Sequence, residues 1–478
     1  MDWKLLVNSL RRKDKHGTDE QKKGTATAFK RTEIERDFDR ILFATPTRRL
    51  ADKTQVFPLE KNDSVRTRLT HSHEVSNLAR GIGTRLVFNH KKDIFGDLDS
   101  DCCLERDIPA LLAVIGLAHD LGNPPFGHQG EAAIGDWFEK HLELFNQVDN
   151  KEIYNDFFKF DGNAQTIRLV TKLQILNDKF GLNLTYSTLA AMIKYPRSSY
   201  SHEKSIWTKH GYFFSEDDII KDIWAETGLN EGERHPLTYL MEACDDIAYL
   251  VLDAEDTVKK GLASFHDLID CLECWQKKNK VEDPFIERVV YESKRKNEEY
   301  TKENLSPSEL NDMSMQMFRV FSIAYLVDAV VDEFKHNISS IMSGAESVKD
   351  LISISKAVHF CKALKEFDKT RGYQHKSVLK LELEGFNYIQ GVMDMLWIGI
   401  HGALSKTERH SADTPFGKYA YGRISENYRR VFQDENDLPE LYKECQLLTD
   451  AVSGMTDSYI MALHDELKEL YHYERCKQ

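Results

Sequence analysis

An all-α fold is what this chain predicts, and three observations predict it. Apolar residues recur at spacings of three and four along most of the 478 residues, the period of a helix that buries one face. Alternating strand patterns are scarce. The 25 glycines and 11 prolines are too few for a β-rich, turn-dense chain. Hydrophobic residues at 41% and charged residues at 30% are ordinary for a globular protein, and the length allows a large core and more than one domain.

The elements follow in order. Arg66 to Val87 places Leu69, Val75, Leu78, Ile82 and Leu86 at helical spacing. Ile108 to Leu121 is apolar around its whole circumference, so it predicts a buried helix, stopped by Gly122-Asn123-Pro124-Pro125. Gly130 to Phe145 restarts a helix with Ala133, Ile134, Trp137, Phe138 and Leu142 on its apolar side. His235-Pro236 opens a long helix to about Lys260, with proline suited to the first turn. Further helices are predicted at 309–335, 347–367, 375–403 and 438–470. Phe386, Tyr388, Ile389, Met393, Met395, Leu396, Trp397 and Ile398 suit either the core or an interface between subunits. Tyr200 to Ser215 predicts a short hairpin, and the polar segments 148–162 and 277–306 read as loops or surface linkers.

Charge and cysteine usage narrow the function. The 64 basic against 78 acidic residues leave a net charge of -14, which excludes wrapping nucleic acid with the whole surface. The basic run Arg11, Arg12, Lys13, Lys15, Lys22, Lys23, Lys30 and Arg31 reads as a solvated, mobile N-terminus, with a local basic patch as the alternative. The 8 cysteines include Cys244 in an apolar helix and the adjacent Cys102-Cys103, which points to reduced thiols. Cys271-Leu-Glu-Cys274 lacks the second pair that a zinc site needs. Met1 to Leu10 is too short for a signal peptide, and the longest apolar run, Ile108 to Ala118, is too short to cross a bilayer, so a cytoplasmic protein with no membrane partner is expected.

Chemistry concentrates at helix ends. Two ionisable residues, His119-Asp120, close an otherwise apolar helix, where they cost several kcal/mol unless paired or metal-bound. His71 shares a helix face with Val75, Leu78 and Ile82 and so points to the core, while His73 points away. A satisfied core histidine is the plainer reading of either histidine alone. His128 and Glu131, three apart at a helix start, suit a histidine acid or base oriented by a carboxylate; an acid near a positive helix end is the plainer alternative. Glu242, Asp245, Tyr249, Asp253 and Asp256 recur at helical spacing as one polar stripe on an apolar helix, which predicts the lining of an internal cavity with a cation or ligand offsetting the charge.

His71, His119-Asp120 and Asp245 together resemble the ligand pattern of HD phosphohydrolases. Longer words resemble the bacterial dGTP triphosphohydrolase family: Arg48-Arg49-Leu50, Lys53-Thr54-Gln55-Val56-Phe57, Arg66-Thr67-Arg68-Leu69-Thr70-His71-Ser72, and His119 through His128. Phe160-Asp161-Gly162-Asn163-Ala164-Gln165, Met241-Glu242-Ala243-Cys244-Asp245-Asp246-Ile247 and Ser453-Gly454-Met455-Thr456-Asp457 continue them in the same order. The resemblance implies an HD-domain helical core over 41–275, with an insertion about 140–235, between an N-terminal segment 1–40 and a further helical region 276–478 packed on the core. It implies hydrolysis of dGTP, or of other deoxynucleoside triphosphates, to deoxynucleoside and inorganic triphosphate. It implies His71, His119, Asp120 and Asp245 as ligands of a divalent cation, Mn²⁺ or Mg²⁺, and His128 and Glu131 as the catalytic pair. Gln55 and Asp253 match positions that hold the sugar 3′-hydroxyl, and Tyr249 the residue packed against deoxyribose. Asn163, Lys194 and Tyr195 match the nucleotide-binding region, and Arg48 joins Lys194 as a cation that could meet the triphosphate. It also implies a homo-oligomer, commonly a hexamer, and single-stranded DNA as an effector. The rival readings are another HD-type phosphohydrolase, acting on monophosphates, cyclic dinucleotides or alarmones, and a nucleotide- or DNA-sensing regulator.

Overall fold

The computed structural model describes residues 1–18, 31–57, 59, 64–97, 103–174, 178–201, 205–344, 348–401 and 414–475. Lys22, Lys23, Lys30 and Cys102 lie outside the described residues. The fold is all-α: among the described residues only three isolated β-bridges occur. Eight helices frame the site: α1 (Arg68–Asn89), α2 (Leu104–Ala118), α3 (Gly127–Lys140), α4 (Pro236–Lys259), α5 (Pro307–Met342), α6 (Lys376–His401), α7 (Glu440–Ser453) and α8 (Asp457–Arg475).

Local chemistry sets their ends. The Thr67 side chain accepts from the Thr70 N–H at the start of α1. Beyond its exposed first turn α2 is buried almost all round, with Ile108, Leu111, Leu112, Val114, Ile115 and Leu117 fully covered. It lies along α1, and Ser76 Oγ donates to the Ala113 carbonyl at 2.7 Å between them. Two cores result. One gathers residues between Trp3 and Phe367 around α1, α2, α4 and α5, and the other gathers residues between Phe126 and Leu467 around α3, α6, α7 and α8. Ile389, Met393, Met395 and Leu396 of α6 are buried in the second core, and Phe386, Trp397 and Ile398 pack against it.

Several expectations are corrected. The segment 277–306 holds two helix parts, the end of Phe265–Asn279 and the whole of Pro284–Tyr300. Asp283 caps the second by accepting from the Phe285 and Ile286 N–H groups, and Ile286, Val289 and Val290 supply a narrow buried face that the surrounding charges mask in the sequence. The segment 148–162 contains the short turns Glu152–Tyr154 and Asn155–Phe158, pinned by buried Tyr154 and Phe157. Residues 202–204 of the expected hairpin lie outside the described residues; the described ones show a single parallel bridge between Ser198 and Tyr212, and the Trp207 ring packs under Arg234, whose guanidinium sits 3.9 Å from its centre. The helix expected at 347–367 is two, Leu351–Ile354 and Val358–Phe367, and that at 438–470 breaks at Gly454 between α7 and α8.

Arg11, Arg12 and Lys13 of the N-terminal basic run are built into the protein rather than solvated, while Lys15 and Arg31 are exposed. Trp3 and Leu6 are buried, Arg11 pairs with Asp37 at 2.7 Å and Glu33 at 2.9 Å, and Lys13 pairs with Asp178 at 2.8 Å. The Ile108–Ala118 run is also not the strongest candidate span: α5, with 36 residues, is long and apolar enough to cross a membrane by length and composition. Its Phe318, Leu326, Val330 and Phe334 are buried in the first core.

α4 begins on a buried neutral histidine. His235 Nδ1 accepts from the Leu237 N–H at 3.1 Å and its Nε2 donates to the Leu6 carbonyl at 3.2 Å, a pairing that only the uncharged ring can make. Burial lowers its pKa from the ordinary 6.5 to about 4, and burial does the same to His210. Because both folded values are depressed, the stability they contribute is present above 6.5 and is lost as the pH falls through about 4. Histidine ring NMR titrations should place both midpoints near 4, each ring contributing on the order of 3 kcal/mol that is lost on acidification. Midpoints near the ordinary 6.5 would remove both rings from the acid response.

Candidate active site and metal centre

The helix framework converges on one cleft of about 550 Å³. Gln55, His119, Asp120, His128, Glu131, Asn163, Lys194, Tyr195, Asp245 and Tyr249 all line it. α1, α2 and α4 bring three ligand atoms together at its floor: one each from His71, His119 and Asp245, all within 4.8 Å of one another. It is the only such group among the described residues, so the Cys271–Cys274 pair forms none. His71 is 1% exposed because it lies one turn before Val75 on the buried side of α1. His119 follows the last residue of α2, where its Nδ1 bonds the Gly116 carbonyl at 2.8 Å and aims Nε2 into the cluster. Asp245 Oδ1 lies 3.1 Å from His71 Nε2 and 3.4 Å from His119 Nε2, and its Oδ2 pairs with Lys194 at 3.4 Å.

Asp120 is close to this group but is held elsewhere. Its Oδ2 is 3.5 Å from His119 Nε2, yet the same oxygen accepts from Arg68 Nη1 at 2.6 Å and Oδ1 accepts from the Asn123 amide. Burial pushes the Asp120 carboxyl up, but Arg68, His119 and His71 outweigh it and hold the pKa at about 2. Burial pulls His119 down, and Asp120 and Asp245 reverse this to about 9. Asp245 is held well below the carboxylate range against its burial by His119 and Lys194.

The donor set fits a divalent cation. His119 Nε2, aimed into the cluster, is buried without a hydrogen bond, and two imidazoles with two carboxylates suit Mn²⁺, Mg²⁺, Fe²⁺ or Ni²⁺ alike. The His119 nitrogen faces two carboxylates, the field that would draw a cation.

Across the cleft, α3 presents the second constellation. His128 Nδ1 lies 3.0 Å from Glu131 Oε2, and Glu131 Oε1 accepts from the Gly162 N–H at 2.8 Å. The imidazole stands 82% exposed over the cleft while Glu131 is 12% exposed. Lys209 joins them, 3.0 Å from Asp161 and 3.9 Å from Glu131.

Not every expected residue arrives. Arg48 is exposed and bonds its own turn, donating to the Phe43 carbonyl at 2.9 Å and Thr45 Oγ1 at 3.0 Å, so it does not line the cleft; the neighbouring Arg49 turns inward instead, to the Gly454 carbonyl. Asp253 is 1% exposed and accepts from the Tyr373 hydroxyl at 2.6 Å, one layer behind the lining. The carboxylate stripe on α4 thus lines the cleft only around Asp245 and Tyr249; Glu242 pairs with Arg234 at 2.5 Å, and Asp256 with Arg66 at 2.5 Å. Residues not singled out from the sequence also line it: Arg68, Lys209 and Tyr373. Arg68 was legible, since it stands three before His71 on one helix face. Lys209 lies in an irregular segment and Tyr373 closes the π-helical turn Asp368–Tyr373, and neither has a periodicity to place it.

Gly122 holds the two halves together. Its N–H donates to Thr166 Oγ1 at 2.9 Å, and a β-carbon there would fall 2.3 Å from the Gly162 carbonyl oxygen and 2.3 Å from Thr166 N. Both are backbone atoms that cannot swing away. Gly122→Ala should therefore destabilise by about 3 kcal/mol, at the upper end of overpacking costs, and should disturb Glu131 through Gly162. Thermal denaturation with a parallel activity assay checks this; an unshifted midpoint would contradict the close approach.

Comparison with known proteins agrees with this geometry. Residues 68–193 match the HD domain family, and they contain His71, His119, Asp120, His128 and Glu131. Fold and site together define an HD-domain hydrolase. Over 98% of this chain and 100% of its own length, a deoxyguanosinetriphosphate triphosphohydrolase-like protein of Listeria monocytogenes is 36% identical. A deoxyguanosinetriphosphate triphosphohydrolase of Yersinia pestis is 30% identical over 91% of this chain and 93% of its own. A probable deoxyguanosinetriphosphate triphosphohydrolase of Pseudomonas aeruginosa is 32% identical over 89% and 91%. The chain belongs to the deoxyguanosinetriphosphate triphosphohydrolase family.

Proposed function

We propose that this chain hydrolyses deoxynucleoside triphosphates, dGTP among them, to deoxynucleoside and inorganic triphosphate with the help of a divalent cation. The observation that carries the reading is the pairing of two constellations across one cleft: the His71–His119–Asp245 group on its floor and His128–Glu131 facing it. The family relationship supports the substrate class.

In this reading His71, His119, Asp120 and Asp245 hold the cation, Mn²⁺ or Mg²⁺, which when bound supplies Lewis-acid stabilisation of charge at the α-phosphate. Arg68 keeps Asp120 ionised and in place. Lys194, Lys209, Asn163 and Tyr195 offer donors to the phosphates, where charge-assisted bonds are strongest. His128, oriented by Glu131, moves the proton that must pass between the attacking water and the 5′-oxygen that leaves. Tyr249 packs against deoxyribose and excludes a 2′-hydroxyl, and Gln55 holds the 3′-hydroxyl, with Asp253 acting from behind Tyr373. The resemblance further supports a homo-oligomer, commonly a hexamer in such proteins, with single-stranded DNA as an effector.

A substrate panel tests the reading. Protein with Mn²⁺ or Mg²⁺ is offered dGTP, dATP, dCTP, dTTP and GTP, with and without single-stranded DNA, and nucleotide consumption is followed. Deoxynucleotides consumed and GTP spared is the expected result. Consumption of GTP at an equal rate would refute the role of Tyr249, and no consumption of any would direct the search to monophosphates, cyclic dinucleotides and alarmones.

A further inference from the structure

Between the metal cluster and the His128–Glu131 pair the chain turns through Gly122-Asn123-Pro124-Pro125-Phe126. Phe126 ends the turn at φ 58° and ψ 19°, a left-handed conformation that a β-carbon disfavours. Such a residue persists only where its surroundings fix it. Its N–H donates to Asp457 Oδ1 at 3.0 Å. Its ring lies against Gly385 of α6, where a β-carbon would fall 2.4 Å from ring Cγ. Upstream in the same turn, the Asn123 carbonyl accepts from Lys53 Nζ at 2.6 Å, and Lys53 also donates to the Ser453 carbonyl at 2.8 Å. Asp457 Oδ2 accepts from the Thr54 N–H at 2.8 Å and from the Thr54 hydroxyl, beside Gln55.

Asp457 is 2% exposed and Lys53 is 3% exposed, and neither lines the cleft. A buried carboxylate with three donors and a buried ammonium with two carbonyls join the same three segments: 53–55, 123–126 and the junction of α7 with α8. Residues more than three hundred positions later in the chain thus brace the turn that leads into α3. Fixing the turn fixes the first residues of α3, because Phe126 is its N-cap and His128 is two residues on.

We propose that Asp457 and Lys53 are positioning residues, which lock the start of α8 onto the 122–126 turn and the Thr54–Gln55 segment and so set where His128, Glu131 and Gln55 stand. This gives the Ser453–Asp457 word a role. The kinetic part rests on the triphosphohydrolase reading; the structural part does not.

Asp457→Asn tests it in the full-length protein, because the amide keeps the size but turns one acceptor into a donor facing donors. Hydrogen exchange of the 122–131 amides should speed up by about tenfold or more, with the buried amides of α2 and α4 unchanged. In dGTP hydrolysis kcat should fall by about 10–100-fold, the cost of a small misplacement, KM should rise as Gln55 shifts, and Mn²⁺ affinity should hold within about twofold. Gly385→Ala, which pushes the same ring from the other side, should give the same pattern. Unchanged exchange at 122–131, or faster exchange throughout with a lowered melting point, would overturn the proposal. If Asp457→Asn does not fold, Thr54→Val, which removes only the hydroxyl donor, is judged by the same two criteria. If the unaltered protein hydrolyses no deoxynucleotide, the functional reading fails while the exchange result still decides the clamp.

Discussion

Asp245→Asn is expected to abolish Mn²⁺ binding and to lower turnover by roughly a thousandfold or more, since the bound cation contributes several kcal/mol of transition-state stabilisation. Asp245 is the common partner of the cluster: both histidines point at its Oδ1, and Lys194 balances its Oδ2. An amide keeps the shape but removes the charge that opposes Lys194 and attracts a cation. Mn²⁺ titration followed by electron paramagnetic resonance, with circular dichroism to check the fold, reads the first effect directly. A folded variant that binds Mn²⁺ like the unaltered protein would show that the His71–His119–Asp245 group is not the metal centre.

The second large effect is expected at His128. His128→Ala should cut kcat by about 10²–10⁴-fold, the usual share of a general acid or base. Because its ring stands over the cleft and touches none of the metal ligands, Mn²⁺ binding and stability should stay as they are. Glu131→Gln should cost less, because it leaves the imidazole present but loses the carboxylate that orients it. It should still lower kcat, since a Gln whose oxygen keeps the Gly162 N–H turns a donor rather than an acceptor toward His128 Nδ1. Stopped-flow or steady-state turnover with metal binding measured alongside separates the two sites. Full turnover in His128→Ala would remove that residue from the mechanism.

How much of this was legible in the sequence depends on periodicity. α1, α2 and α4 are long and strongly patterned, so His71, His119 and Asp245 could be placed on buried faces from spacing alone. Their convergence could not: His71 and Asp245 lie 174 positions apart, and only tertiary packing sets 3.1 Å between them. Pro284–Tyr300 was hidden because a narrow apolar face on a charged helix resembles a linker. Arg48 and Arg49 are adjacent on a five-residue helix, too short for a pattern to say which turns inward. The carboxylate stripe of α4 predicted a polar face but not the partners that separate its members, Arg234 for Glu242, Tyr373 for Asp253 and Arg66 for Asp256. The left-handed Phe126 and its tie to Asp457 carry no sequence signal, because they exist only once distant segments meet.

The most direct test of the central claim is to identify the bond that breaks. dGTP is turned over in ¹⁸O-labelled water with Mn²⁺, and the products are separated by chromatography and weighed by mass spectrometry. Attack at the α-phosphorus predicts unlabelled deoxyguanosine and intact inorganic triphosphate carrying one ¹⁸O, all lost in Asp245→Asn. Label in phosphate or pyrophosphate, with dGDP or dGMP as the nucleoside product, would contradict the account.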